Sequence, residues 1–225
     1  MPSFVEFGKT ANAAPDGRLD APAFHRNHEP IWAALAPWLS AQSGDVLEAG
    51  SGTGQHVVEF ARKSPTLVWW PGDYEEAHVR SIEAWRRHSG LPNIRPARRL
   101  DLAAPEWGLD EGGSQRLRGL TAVFCANVIH IAPWAVTEGL LAGAAARLKE
   151  GGRLYLYGPF MREGAHTAPS NAAFDASLRA QDPSWGVRDM TKVGALAAQA
   201  GLRALETVPM PANNFILVFE RANRA

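Results

Sequence analysis

An α/β fold is what this sequence predicts: a seven-stranded, mostly parallel sheet with helices on both faces and a C-terminal antiparallel hairpin. Three observations carry that reading. Apolar or β-branched runs alternate with amphipathic segments, the rhythm of repeated strand-helix units. The stretch Asp45-Val46-Leu47-Glu48-Ala49-Gly50-Ser51-Gly52-Thr53-Gly54-Gln55 reads as strand, tight glycine turn and helix start. Two closing apolar runs, 202–208 and 215–220, flank Met210-Pro211-Ala212-Asn213-Asn214 too closely for a crossover, so they pair antiparallel.

The 225 residues, 46% of them hydrophobic, suffice for one well-buried core and are short for two. Residues 1–23 are expected to be a flexible N-terminal lead-in, and 24–225 a single domain with a lid-like insert at about 158–189. Lysine plus arginine equals aspartate plus glutamate at 23 each, so no overall field exists to attract nucleic acid or an anionic membrane. The one cysteine, Cys125, forms no internal disulfide and suits a reducing cytosol, which makes a cytoplasmic location the expectation. Met1 to Asn12 lacks the cationic and apolar pattern of a secretory signal. Asn127, His130 and Pro133 interrupt the best candidate span, and it falls short of the roughly 20 apolar residues a membrane crossing needs.

Phe24, Ile31, Trp32, Leu35 and Leu39 give the first helix an apolar face, with its start expected near Glu29-Pro30. The polar segment before it, with Arg26 and Asn27, either caps and solvates the helix or folds over a bound cofactor to reach its carboxylate or ribose. The glycine turn follows the first strand. Glycine accepts positive φ and has no Cβ, so a ligand can lie against the backbone at a helix N-terminus. Thr66 to Trp70 reads as the second strand, ending at Pro71-Gly72-Asp73. Asp73, about twenty residues past the glycines, either accepts ribose hydroxyls or caps the next helix. The third strand, 94–100, carries Arg95, Arg98 and Arg99 as a sheet edge does, and ends in Asp101-Leu102. That acid is a candidate for the adenine amino group, with Leu102 packing on the ring, or else a turn aspartate.

After a loop with a short helix at 103–119, the run 120–130 is nearly continuous in apolar content and reads as a central strand. Asn127 and His130 interrupt its carboxyl end, where open α/β sheets bind their ligands. His130 is thus a structural histidine or a substrate-contacting, proton-accepting one. A helix over 134–149 and a strand over 153–157 follow. The polar and aromatic stretch 158–189, with a helix near 170–181, is a candidate substrate cover or a structural insert. Trp69, Trp70, Trp134, Phe160 and Trp185 either line an aromatic pocket or fill the core.

Glu48 with Gly50-x-Gly52-x-Gly54 resembles motif I of the class I S-adenosylmethionine-dependent methyltransferases rather than the dinucleotide fingerprint G-x-G-x-x-G. A narrower resemblance spans 24–220. Arg26-Asn27-x-Glu29-Pro30-Ile31, Ser51-Gly52-Thr53-Gly54-Gln55-His56, Ile129-His130-Ile131-x-Pro133-Trp134, Tyr157-Gly158-Pro159-Phe160, Asp182-Pro183-x-Trp185-Gly186-x-Arg188-Asp189 and Met210-Pro211-Ala212-Asn213-Asn214 carry it. These motifs resemble the DUF938 family of methyltransferase-like proteins, to which human methyltransferase-like protein 26 is also similar.

The resemblance implies a Rossmann-like class I methyltransferase fold and S-adenosyl-L-methionine as cofactor; the balanced charge makes a small-molecule methyl acceptor the expectation. It assigns Glu48 and the turn of Gly50, Ser51, Gly52 and Gly54 to the methionine portion, Asp73 to the ribose, and Asp101 with Leu102 to the adenine. Asn127 and His130 would lie near the transferred methyl, with His130 the expected base because an ordinary imidazole titrates near neutral pH. No metal and no nucleic-acid partner is expected. The competing reading is a cofactor-binding or interaction protein without turnover; a nicotinamide-dependent dehydrogenase is disfavoured by the glycine spacing and the terminal hairpin.

Overall fold

The computed structural model describes residues 13–109 and 117–222. Seven strands form the main sheet in the order β3-β2-β1-β4-β5-β10-β9. They are β1 (Gly44–Ala49), β2 (Leu67–Asp73), β3 (Arg98–Arg99), β4 (Leu120–Ala126), β5 (Leu148–Gly158), β9 (Leu202–Met210) and β10 (Asn214–Arg221). The first five run parallel, and β10 lies antiparallel to both β5 and β9. The predicted fold is the observed one.

Alternation along the strands builds two layers. Leu47, Val123, Cys125, Leu154 and Leu156 face one core with Leu140, Leu141 and Ala144 of α4 (Trp134–Arg147) and Val193 and Ala197 of α6 (Met190–Gln199). Val46, Ala122, Phe124 and Tyr155 face the other. There they meet Ile31, Leu35 and Leu39 of α1 (Pro22–Leu39), Val57 and Phe60 of α2 (Gln55–Lys63), and Trp85 of α3 (Glu76–Ser89). Six consecutive residues of β4 are buried, as its apolar run predicted for a central strand.

Several boundaries differ from expectation. α1 starts at Pro22 rather than near Pro30, because Pro22 takes the tolerated first-turn position and Pro30 and Pro37 sit inside the helix. The burial of Ile31, Leu35 and Leu39 outweighs the lost backbone bonds. β3 is two residues long, with Ile94 making only an isolated bridge to Trp69. Of the lead-in, residues 1–12 lie outside the described residues. Next to them Leu19 N donates to Ser81 Oγ, Trp85 Nε1 to Leu19 O, and Ala21 N to Gln55 Oε1. Of the loop and short helix expected over 103–119, residues 110–116 also lie outside them, and Pro105–Gly108 forms a 3-10 turn.

The 158–189 region folds into β6 (Phe160–Arg162), β7 (Ala165–His166), α5 (Pro169–Gln181) and β8 (Arg188–Asp189), with a small sheet in the order β7-β6-β8. It follows the carboxyl end of β5 directly.

Candidate functional site

The carboxyl ends of β1, β2, β4 and β5 carry the polar residues singled out above. Gly50, Gly52 and Gly54 all have positive φ, at 75°, 56° and 91°. Their surroundings separate them. A Cβ on Gly50 would stand 2.3 Å from Val128 Cγ2 and one on Gly54 2.8 Å from Ile82 Cα, whereas one on Gly52 would meet nothing within 4 Å. Two glycines permit close packing, and the middle one borders open space. Ser51 fastens the turn: its hydroxyl donates to Glu48 O and accepts from Gly72 N, while the Gly50 and Ser51 amides both donate to Gly72 O.

Glu48 is 2% exposed, and its Oε2 has no hydrogen-bond partner among the described residues. Burial, with the charge of nearby Asp73 adding to it, pushes this carboxyl up to about 8 against the opposing influence of the nearby Ser51 hydroxyl. At neutral pH the acid is therefore largely protonated.

Asp73, at the end of β2, accepts from Gly52 N at 2.8 Å through Oδ2, and from Glu75 N and His78 Nδ1, both at 3.0 Å, through Oδ1. It does not act as the N-cap of α3, which falls to Glu75. The hydrogen bond to Asp73 raises the His78 pKa above its ordinary value, with the charges of Asp73 and Glu75 adding to it and burial opposing. Asp101 follows β3 and accepts from Ala103 N at 3.0 Å, the local bond of a turn aspartate. Leu102 beside it is buried, with its backbone pressed against α4 at Gly139.

Asn27 and Arg26 lie on the first turns of α1, within the helix and not before it. Asn27 is buried and accepts from His56 Nε2 at 2.9 Å. Burial raises the Tyr157 pKa, against the opposing influence of the Asn27 and Asn214 side chains and the Arg26 charge. Arg26 itself is exposed and makes no ion pair among the described residues. Asn127 takes φ 58°, a left-handed conformation uncommon outside glycine, and donates its backbone N–H to Tyr157 O at 2.9 Å.

Asn127 and His130 converge on Gly158. A Cβ there would lie 3.2 Å from the His130 ring and 3.6 Å from Asn127 Oδ1. His130 is 2% exposed, meets Phe174 edge-on at 5.6 Å between ring centroids, and stands near Arg188. Burial, and secondarily the Arg188 charge, push its pKa down to about 3. The near-neutral titration expected of His130 is thus corrected: the ring is a neutral imidazole at physiological pH, able to hydrogen-bond but a weak proton acceptor.

The insert is fastened over this edge. Gly186 N donates to His130 O at 2.9 Å, Arg188 donates to Ile129 O and Ala132 O, and Asn171 Nδ2 donates to Asn213 O at 2.9 Å. His56, His78, Tyr157, Phe174 and Arg188 were not among the sequence candidates. His56, Tyr157 and Arg188 stood within the motifs quoted above without a role, and for His78 the signal was an imidazole five residues past the strand-end acid. Of the five candidate pocket aromatics, Trp69 and Phe160 are fully buried in the core; Trp70 and Trp134 are half-buried against it. Among the described residues no cluster suited to a metal ion occurs.

Comparison with solved structures places the chain in a Rossmann-like class I methyltransferase fold. It is similar to an O-methyltransferase family protein from Burkholderia thailandensis, with a TM-score of 0.74 and 15% identity over 90% of this chain and 58% of that one. Human N-acetylserotonin methyltransferase, solved with S-adenosylmethionine, gives 0.70 and 15%, over 89% and 53%. NcsB1, an O-methyltransferase from neocarzinostatin biosynthesis solved with S-adenosylmethionine and 2-hydroxy-5-methyl naphthoic acid, gives 0.69 and 17%, over 88% and 55%. The chain spans a little over half the length of these proteins. By sequence, residues 18–221 match the family described as protein of unknown function (DUF938).

Proposed function

Because this chain belongs to the DUF938 family, we propose that it is an S-adenosylmethionine-dependent methyltransferase acting on a small molecule. The observation that carries this reading is Glu48. A buried acceptor left without a donor costs about 1–3 kcal/mol, and Glu48 Oε2 is one, beside a glycine turn whose middle residue borders open space. An ammonium group such as that of the methionine portion would supply the donor and hold the carboxyl ionised.

When bound, S-adenosylmethionine supplies a methyl group already activated by its sulfonium. The protein's part is to align and to exclude water. Glu48 and the backbone of Gly50, Ser51, Gly52 and Gly54 would hold the amino acid portion, with Arg26 reaching its carboxylate. Asn27 would keep the first turns of α1 in place through His56 and Tyr157. Asp73 would accept from the ribose, and Asp101 and Leu102 would border the adenine. On the acceptor side, Asn127 and His130 would orient the nucleophile by hydrogen bonds. His130, neutral and buried, contributes a lone pair or an N–H and stores no proton.

The balanced charge favours a small-molecule acceptor over nucleic acid. Among the described residues no helix is long and apolar enough to cross a membrane. The buried free thiol of Cys125 suits a reducing cytoplasm.

Calorimetric titration with S-adenosylmethionine, S-adenosylhomocysteine and NADH tests the reading. Micromolar binding of the first two, weakened in Asp73→Ala and Asp101→Ala, is the expected result. Binding of NADH alone, or of none of the three, overturns it. Methyl release to a defined acceptor separates turnover from a binding protein without catalysis.

A further inference from the structure

The Asp73 carboxylate has partners on three sides before any ligand arrives. A carboxylate offers roughly four lone-pair positions, two on each oxygen. Glu75 N and His78 Nδ1 occupy both positions of Oδ1, and Gly52 N occupies one of Oδ2. Since a carboxylate only accepts, His78 Nδ1 must carry the hydrogen of that bond. One acceptor position is left, on Oδ2, the oxygen that Gly52 N already meets.

The amides of Gly52 and Glu75 belong to the turn and to the entry of α3. His78 differs from them because it is a side chain in the first turn of α3, and that turn would form with other residues there. Its side chain is 21% exposed, so burial does not require an imidazole at this position.

We propose that His78 is a positioning residue for the nucleoside: by filling the second position of Asp73 Oδ1, it leaves the carboxylate one acceptor site and commits it to a single ribose hydroxyl. This inference rests on the cofactor reading above. Without His78, Oδ1 regains a free position, and the carboxylate can engage both hydroxyls or turn away from Gly52.

The test compares S-adenosylhomocysteine with its 2′-deoxy and 3′-deoxy analogues by calorimetry in the wild type, His78→Asn, His78→Ala and His78→Leu, with thermal melts as the folding control. In the wild type one analogue is expected to bind within about twofold of the parent and the other to lose about tenfold or more. His78→Asn, whose amide N–H can stand near the place of Nδ1, keeps that pattern. His78→Ala and His78→Leu change it, both analogues now losing affinity; the leucine fills the volume if the alanine variant is poorly folded. Equal losses for both analogues in the wild type, or an unchanged pattern in the alanine and leucine variants, overturn the proposal while the cofactor reading stands. Failure of the parent compound to bind overturns both.

The contact itself has a ligand-free readout. The NMR titration of His78 should lie above the ordinary histidine value and drop in Asp73→Asn. A titration that Asp73→Asn does not move also overturns the proposal.

Discussion

Gly52 N donates to Asp73 Oδ2 across 2.8 Å, tying the middle of the glycine turn to the end of the neighbouring strand. The two residues are 21 positions apart in sequence, and β1 and β2 bring them together by pairing in parallel as far as Ala49 and Gly72. The turn is thereby held open before a ligand binds, with its left-handed residues braced by a carboxylate. Preorganisation of this kind lowers the ordering entropy lost on binding.

Asp73→Asn is expected to weaken S-adenosylhomocysteine about tenfold or more while leaving the protein folded. The amide either turns its NH2 toward Gly52 N, placing donor against donor, or turns it toward His78 and Glu75 N with the same result. Asp73→Ala leaves three donors without their acceptor and should lower stability by about 1–3 kcal/mol in addition. Calorimetry and urea unfolding separate the two effects.

Glu48 makes stability depend on pH in a direction opposite to most carboxylates. Its folded pKa, about 8, lies above the ordinary glutamate value of 4.5, so the folded state keeps a proton that the unfolded chain releases. Its contribution is neutral below the unfolded pKa and becomes destabilising as pH rises between those values, by up to ~1.4 kcal/mol per pH unit. Glu48→Gln copies the protonated form and should flatten that part of the curve, while weakening the ammonium contact proposed for it. Melting temperatures from pH 5 to 8, measured for both proteins, check the sign.

The reach of the sequence follows from which interactions are local. The glycine turn, the strands around it and the terminal hairpin were legible because φ restrictions, period-two runs and short linkers act within a few residues. Asp73 was singled out by its place at a strand end, but the occupancy of its oxygens depends on Gly52, which only the folded chain brings near, and on the turn into α3 that sets His78 against it. His130 shows the same limit. Its position beyond β4 was readable, whereas its pKa is set by Phe174, Gly158 and Arg188 from distant segments. The start of α1 was misplaced because two prolines, Pro22 and Pro30, both look like first-turn residues and only packing decides between them.

His130 should show no titration near pH 6.5. With a folded pKa of about 3, the folded state binds fewer protons than the unfolded chain below the ordinary value, so His130 costs stability as pH falls from 6.5 toward 3. His130→Gln removes that loss. In the proposed enzyme, the rate profile should lack an inflection near 6.5; an inflection that His130→Gln abolishes would restore the residue as a general base.

Arg188 joins the insert to the segment after β4 by donating to Ile129 O and Ala132 O from one guanidinium. Lysine cannot reproduce that fork. Arg188→Lys should speed amide hydrogen exchange at Gly186, whose N–H bonds His130 O, with little change in exchange across β4. Equal acceleration in both places would mean that Arg188 supports the whole domain rather than the insert.

Gly52 and Gly54 offer the sharpest separation of folding from binding, because they share a left-handed backbone and differ in what stands before them. Alanine in that conformation costs roughly 1–2 kcal/mol by itself. At Gly54, φ 91°, the added methyl would also stand 2.8 Å from Ile82 Cα, a backbone atom that moves only if α3 moves. Gly54→Ala should therefore destabilise the fold well beyond the conformational term. At Gly52, φ 56°, the methyl enters open space, with nothing within 4 Å of it. Gly52→Ala should melt only a few degrees below the wild type, yet lose most of its affinity for S-adenosylhomocysteine, since the methyl takes the room a ligand would use. If Gly52→Ala binds as the wild type does, the space in front of Gly52 is not where the cofactor lies, and the proposed roles of Glu48 and Asp73 fall with it.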